Sequence, residues 1–168
     1  MNKLMLAALV GAVAIGVGGR YMTRPKLNHF SEGEFGVWYP LMSADLLLKL
    51  DRYREAWGGR VVISKADGGI GRKDETHSQH NVLRWGEVRA VDVFPQIQDV
   101  HGNWQYLSTT EELERAYQVA RDTGFTGIGL YTDTEPGYMV HLDNRPGDDI
   151  ATWSRIAGEY RGISEALV

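Results

Sequence analysis

Between Val88 and Phe94 the chain alternates as a β-strand does, yet Asp92 stands in the middle of this otherwise apolar stretch. A carboxylate inside a buried strand is costly unless something compensates its charge. A cation would do so, and two histidines are placed to share it. His80 lies in the polar loop ahead of the strand, and His141 lies in the strand-like run from Tyr138 to Asp143, where an apolar residue is expected. Two imidazoles and a carboxylate are usual ligands of a zinc ion that keeps its fourth position open for water. Each residue alone has an ordinary alternative: a histidine is often a hydrogen-bonded core residue, and an aspartate often caps a turn.

Composition narrows the choice. With 168 residues, 43% of them apolar, the chain can form one domain whose core needs no covalent staples. It has no cysteine, so a metal site must be built from His, Asp or Glu. A net charge of −4 argues against a nucleic-acid partner, which would call for a basic surface. The run from Leu4 to Gly19 is uncharged and apolar, with Lys3 before it and Arg20, Arg24 and Lys26 after it. It is shorter than the ~20 residues of a membrane span and suits the apolar region of a signal peptide. Residues 1–19 are therefore expected to be a signal peptide or membrane anchor, able to contact a membrane or a virion assembly. Residues 20–36 read as a polar linker, 37–160 as the folded domain and 161–168 as a loosely tied tail.

Within the domain, Ser43 can cap a helix over 44–57 that Gly58-Gly59 stops. A short strand over 60–64 follows, then a glycine-rich loop over 65–75 that carries Arg72. Residues 95–107 read as a polar excursion. Ser108-Thr109-Thr110-Glu111 has the capping-box pattern and opens a helix to about Asp122. Strands over 126–131 and 138–143, joined by the acidic turn 132–137, predict a hairpin. Asp148 or Asp149 is expected to start a last helix through Trp153 and Ile156. The fold class is α+β: a small antiparallel sheet with flanking helices, preceded by an N-terminal apolar helix.

Ser78-x-His80, Ala90-x-Asp92, Ile128-Gly129-x-Tyr131 and Val140-His141-x-Asp143 with Arg145, in that order, resemble the M15 family of zinc peptidases. These are D-Ala-D-Ala carboxypeptidases and phage endolysins of the Hedgehog/DD-peptidase fold, with a pattern close to S-x-H-x-x-G-x-A-x-D and a later H-x-D or H-x-H. The likeness runs from about Phe30 to Trp153. It implies Zn2+ held by His80, Asp92 and His141, a peptidoglycan stem peptide as substrate, and a place in the cell envelope or a phage virion. It also implies that Arg72 binds a substrate carboxylate or steadies an oxyanion. Asp143, Ser78 and Asn81 are candidates to orient the imidazoles.

Two departures stand out. Asp92 follows His80 by twelve residues, more than the family pattern has, which suggests a longer hairpin or bulge between the ligands. Tyr138 and Met139 occupy the positions where the family carries its catalytic Glu or His, leaving Glu135, Asp133 or Asp143 to serve. The alternatives are a weakly catalytic structural or virion-associated protein that keeps the fold, and a cytosolic dipeptidase. His77 is as well explained as an exposed bystander, and His29 and His101 have no assigned role.

Overall fold

The computed structural model describes residues 24–168, except Glu75. The apolar segment 1–19 lies outside the described residues; among those described, no helix is long and apolar enough to cross a membrane. The elements in order are α1 (Glu32–Phe35), a 3-10 helix (Gly36–Leu41), α2 (Ala44–Trp57), β1 (Val61–Ile63), α3 (Val82–Trp85), β2 (Ala90–Gln98) and β3 (Trp104–Tyr106). There follow α4 (Thr110–Asp122), β4 (Gly127–Tyr131), β5 (Met139–Asp143), β6 (Ala151–Ile156), β7 (Glu159–Arg161) and a closing 3-10 helix (Ile163–Ala166).

The strands form one sheet in the order β1-β2-β5-β4-β6-β7, with β3 paired to β2. The fold is α+β as expected. The sheet is larger than anticipated and mixed, because β6 runs parallel to β4 while the other pairs are antiparallel.

Strand alternation sorts the two faces. Val91 and Val93 of β2, Val140 and Leu142 of β5, and Ile128 and Leu130 of β4 point into the main core. They meet Leu46, Leu47, Leu50, Tyr53 and Trp57 of α2 and Leu113, Ala116 and Ala120 of α4. The α2 residues are 0–1% exposed, and burial of each large apolar side chain contributes about 1.5–3 kcal/mol. Both helices are capped as their sequences suggest. Ser43 accepts from the Leu46 amide, and Gly58 closes α2 in the left-handed conformation (φ 72°). The capping box of α4 sits one residue later than expected, with Thr109 and Glu112 as its reciprocal pair.

Three expectations are corrected at the ends of the domain. Residues 148–156 do not form a helix: Ala151–Ile156 is β6, because its backbone groups find partners along β4. The Trp153/Ile156 spacing is compatible with a helix, but Trp153 and Arg155 face one side of the strand and Thr152 and Ser154 the other. The tail is tied down, by pairing of β7 with β6 and by Ala166, which is buried. Over its described part the expected linker is packed rather than loose, with Phe30 and Phe35 in the core.

One buried carboxylate secures that early segment. Asp51 on α2 accepts hydrogen bonds from the backbone amides of Asn28 (2.9 Å), His29 (2.7 Å) and Phe30 (3.2 Å). Replacing it with alanine strands three amides beside the core. Asp51→Ala should therefore lower unfolding free energy by about 2–4 kcal/mol, read as a drop in the urea midpoint at unchanged m-value.

Candidate metal centre

The face of the sheet turned away from α2 and α4 floors a cleft of about 840 Å³. Register sets one row of side chains across that floor. Asp92 of β2 is opposite His141 of β5, His141 is opposite Gly129 of β4, and Gly129 is opposite Trp153 of β6. Two glycines make the row possible. A Cβ on Gly129 would overlap the Trp153 indole, which lies against the His141 ring with centroids 5.0 Å apart. A Cβ on Gly127 would overlap the Asp143 carboxylate, which stands behind His141.

His80 reaches the row from outside the sheet. Its main chain is held by the loop before it, since its carbonyl accepts from the Arg72 amide at 2.9 Å. Its Nδ1 is 2.8 Å from the Ile70 carbonyl. The neighbouring Gly69 carbonyl accepts from the Asp92 amide at 2.8 Å. Thus the glycine-rich loop fixes two of the three candidate ligands at once. The extra residues between His80 and Asp92 form α3, capped by Asn81 and closed by left-handed Gly86, rather than a hairpin or bulge.

Three atoms then converge. His80 Nε2 is 3.1 Å from His141 Nδ1, His141 Nδ1 is 2.9 Å from Asp92 Oδ1, and His80 Nε2 is 3.4 Å from Asp92 Oδ1. A carbonyl can only accept, so His80 carries its proton on Nδ1, toward Ile70. Asp143 is ionised and accepts from His141 Nε2 at 3.0 Å. With His141 neutral, both remaining ring nitrogens offer lone pairs, and they face each other and a carboxylate oxygen. Without a positive charge between them the three would repel. The group His80, Asp92 and His141 can hold a metal ion.

The chain matches no protein-family model, no curated protein and no solved structure.

The electrostatics agree with the geometry. Burial disfavours a charged His141, but hydrogen bonds to Asp143 and Asp92 outweigh it and raise its pKa to about 9. Burial likewise works against ionised Asp92, and the neighbouring His141 and His80 rings nevertheless hold its pKa well below the usual carboxylate range. Asp143 is also depressed: burial opposes its charge, while Arg145 and His141 favour it. The three candidate ligands are almost enclosed, and Asp92 keeps the largest opening, with 13% of its side chain exposed against 2% for His80 and 9% for His141.

Other anticipated residues fall differently. Asp143 bonds His141 Nε2 and pairs with Arg145, and its side chain is 0% exposed, so it orients the imidazole and has no access to the cleft. Ser78 and Asn81 make no hydrogen bond to either ring: Ser78 Oγ accepts from the His80 amide, and Asn81 bonds the backbone of Asp74 and Thr76. The Ile70 carbonyl, which no side-chain pattern could signal, does that work for His80. Arg72 and Glu135 both line the cleft, as does exposed His77. Tyr138 and Met139 offer no titratable group there: Met139 is buried against Phe94 and Tyr131, and Tyr138 packs on the main core.

Two outcomes follow. Asp143→Asn, which loses the charge behind His141, should weaken metal affinity by about 10–100-fold in a chelator competition. The second concerns pH. His141 is raised above its reference value of 6.5, so it stabilises the metal-free fold fully below pH 6.5 and loses that contribution as pH climbs through about 9. A metal ion displaces the same proton, so affinity should rise with pH up to about 9. Titration calorimetry in buffers of different ionisation enthalpy should find about one proton released per metal bound near pH 7.

Proposed function

We propose that this chain is a zinc-dependent peptidase of the M15 type that hydrolyses amide bonds of peptidoglycan stem peptides. It would act as a D,D-carboxypeptidase or an L-alanyl-D-glutamate endopeptidase, in the cell envelope or as part of a phage virion. The observation that carries this reading is the meeting of three lone pairs at the floor of an open cleft, on the residues singled out by the order of the motifs.

Zinc is the metal this donor set favours. Two imidazoles and one carboxylate, with no thiolate, form a three-ligand set with room for a water. Tetrahedral zinc with bonds of about 2.0–2.1 Å holds its ligand atoms about 3.3 Å apart. The separations here, 2.9–3.4 Å, are close to that. When bound, the ion supplies an acidified water and polarises the amide carbonyl.

The chain's own residues supply the rest. Ile70 and Asp143 keep the protons on the outer nitrogens of His80 and His141, so both inner nitrogens stay free as donors of electron pairs. Arg72, whose Nε donates to the Gly68 carbonyl, keeps its terminal nitrogens for a substrate carboxylate or a developing oxyanion. Glu135, on the acidic turn at the cleft wall, takes the role of proton acceptor. Phe94, Tyr106 and Met139 give an apolar wall that suits alanine methyl groups and excludes water.

A second reading, a weakly catalytic structural or virion-associated protein that keeps the metal, is favoured by one observation. No hydrogen bond holds the Glu135 carboxylate among the described residues, so the proton acceptor is not positioned in advance. Zinc-loaded protein incubated with defined muropeptides separates the two. The peptidase reading expects new amine termini by mass spectrometry, abolished by chelator and by His141→Ala. Glu135→Gln should lower kcat by about 100-fold or more at unchanged zinc content. One zinc per chain with no cleavage would support the second reading.

A further inference from the structure

The cleft floor continues past the candidate ligands. One step along each strand on the same face lie Phe94, Met139, Tyr131 and, at the far side, Arg155. Arg155 donates Nε to both oxygens of Asp133, at 2.9 and 3.1 Å. Asp133 is itself pinned by the Gly158 amide at 2.5 Å. That amide sits in the tight turn between β6 and β7, where Ala157 and Gly158 both have positive φ (52° and 83°). The guanidinium lies 4.8 Å from the centre of the Tyr131 ring, and Tyr160 closes edge-on against that ring with centroids 6.2 Å apart.

This support uses one of the five N–H donors of an arginine. The side chain is 31% exposed and lines the cleft. Arg145 also lines the cleft but is a useful contrast, because it gives both Nε and Nη2 to Asp143 and so has less of its fork to offer. Arg155 is instead an arginine held by its base, with its terminal fork unpaired among the described residues. A planar fork of that kind matches a carboxylate better than any other common biological group except phosphate.

We propose that Arg155 forms a second anchoring point in the cleft, recognising a carboxylate carried by the substrate several residues from the bond that is cut. The inference rests on the peptidase reading and adds a substrate requirement to it. Its span can be estimated. Arg155 is two strands across and two residues along from His141, about 12 Å backbone to backbone at ordinary strand spacing and rise. An extended peptide covers that distance in about three to four residues. A substrate bound here would carry its anionic group that far along the chain, on the side away from Arg72.

The test uses the zinc-loaded full chain and does not need turnover. The probes are hydroxamates with a methylene chain of graded length that ends in a carboxylate, each compared with its primary amide, and acetohydroxamate is the reference. The carboxylate should bind roughly tenfold more tightly than the amide at one best length. Arg155→Gln should remove that preference while leaving acetohydroxamate affinity unchanged, which also shows that the variant is folded. Arg155→Lys should retain part of it. No preference at any length overturns the proposal. So does a preference that survives Arg155→Gln, and one removed by Arg72→Gln alone moves the site to the opposite rim. Absence of acetohydroxamate binding overturns the metal centre and this inference together. If the preference holds and is lost with Arg155→Gln while stem peptides stay uncut, the peptidase reading fails and the carboxylate site stands.

Discussion

Two protons held outside the candidate centre determine what can sit inside it. The Ile70 carbonyl accepts a hydrogen bond from His80 Nδ1, and the Asp143 carboxylate accepts one from His141 Nε2. With those fixed and His141 neutral, His80 Nε2, His141 Nδ1 and Asp92 Oδ1 have only lone pairs to offer one another. Side chains that merely satisfied each other would alternate donor and acceptor. Here three acceptors share one point, an arrangement that is stable only around a positive charge. Either a proton on His141 or a metal ion can provide it, which is why the same histidine has a raised pKa and belongs to the ligand group.

The surrounding fold is arranged to keep this point in place. In β2, β5 and β4 one face of the sheet is apolar and packs against the main core, so these strands cannot slip by a residue without turning Val91, Val140 and Ile128 out of it. That same constraint locks Asp92 opposite His141 on the other face. Register is thus set by the hydrophobic side and used by the polar side. Gly127 and Gly129 complete the arrangement by giving up their own side chains, so that Asp143 and Trp153 can close over the sheet next to His141.

Much of this was legible in residue order, and what was not has a physical cause. Asp92, His80 and His141 declared themselves because a charged or polar residue in an apolar strand needs a reason, and the capped helices α2 and α4 showed themselves by period and cap. β6 is hidden in the sequence because its apolar residues also fit a helical spacing, and its partner, β4, lies more than twenty residues away. The expected linker was misread because its few apolar residues are held by backbone bonds to Asp51, and a hydrogen bond to a main-chain amide leaves no mark on the residue that donates it. The same holds for Ile70, whose side chain has no part in orienting His80. The capping box was off by one because Ser108 and Thr109 are chemically equivalent choices until Glu112 selects between them.

Asp143 shows why motif position alone is a weak guide to role. It sits two residues after a candidate ligand, and in sequence it could be a proton acceptor as easily as an orienting group. Its surroundings decide the matter. A carboxylate that binds an imidazole on one side and a guanidinium on the other, with no exposed surface, is held in its charged form and cannot reach a reacting group in the cleft. The titratable groups that do open on the cleft include those on its walls, where the loops 65–80 and 132–137 carry Arg72, His77 and Glu135. The sheet, with His80 from the loop beside it, brings together a group that can hold a cation, and the loops place polar side chains around the cleft above it.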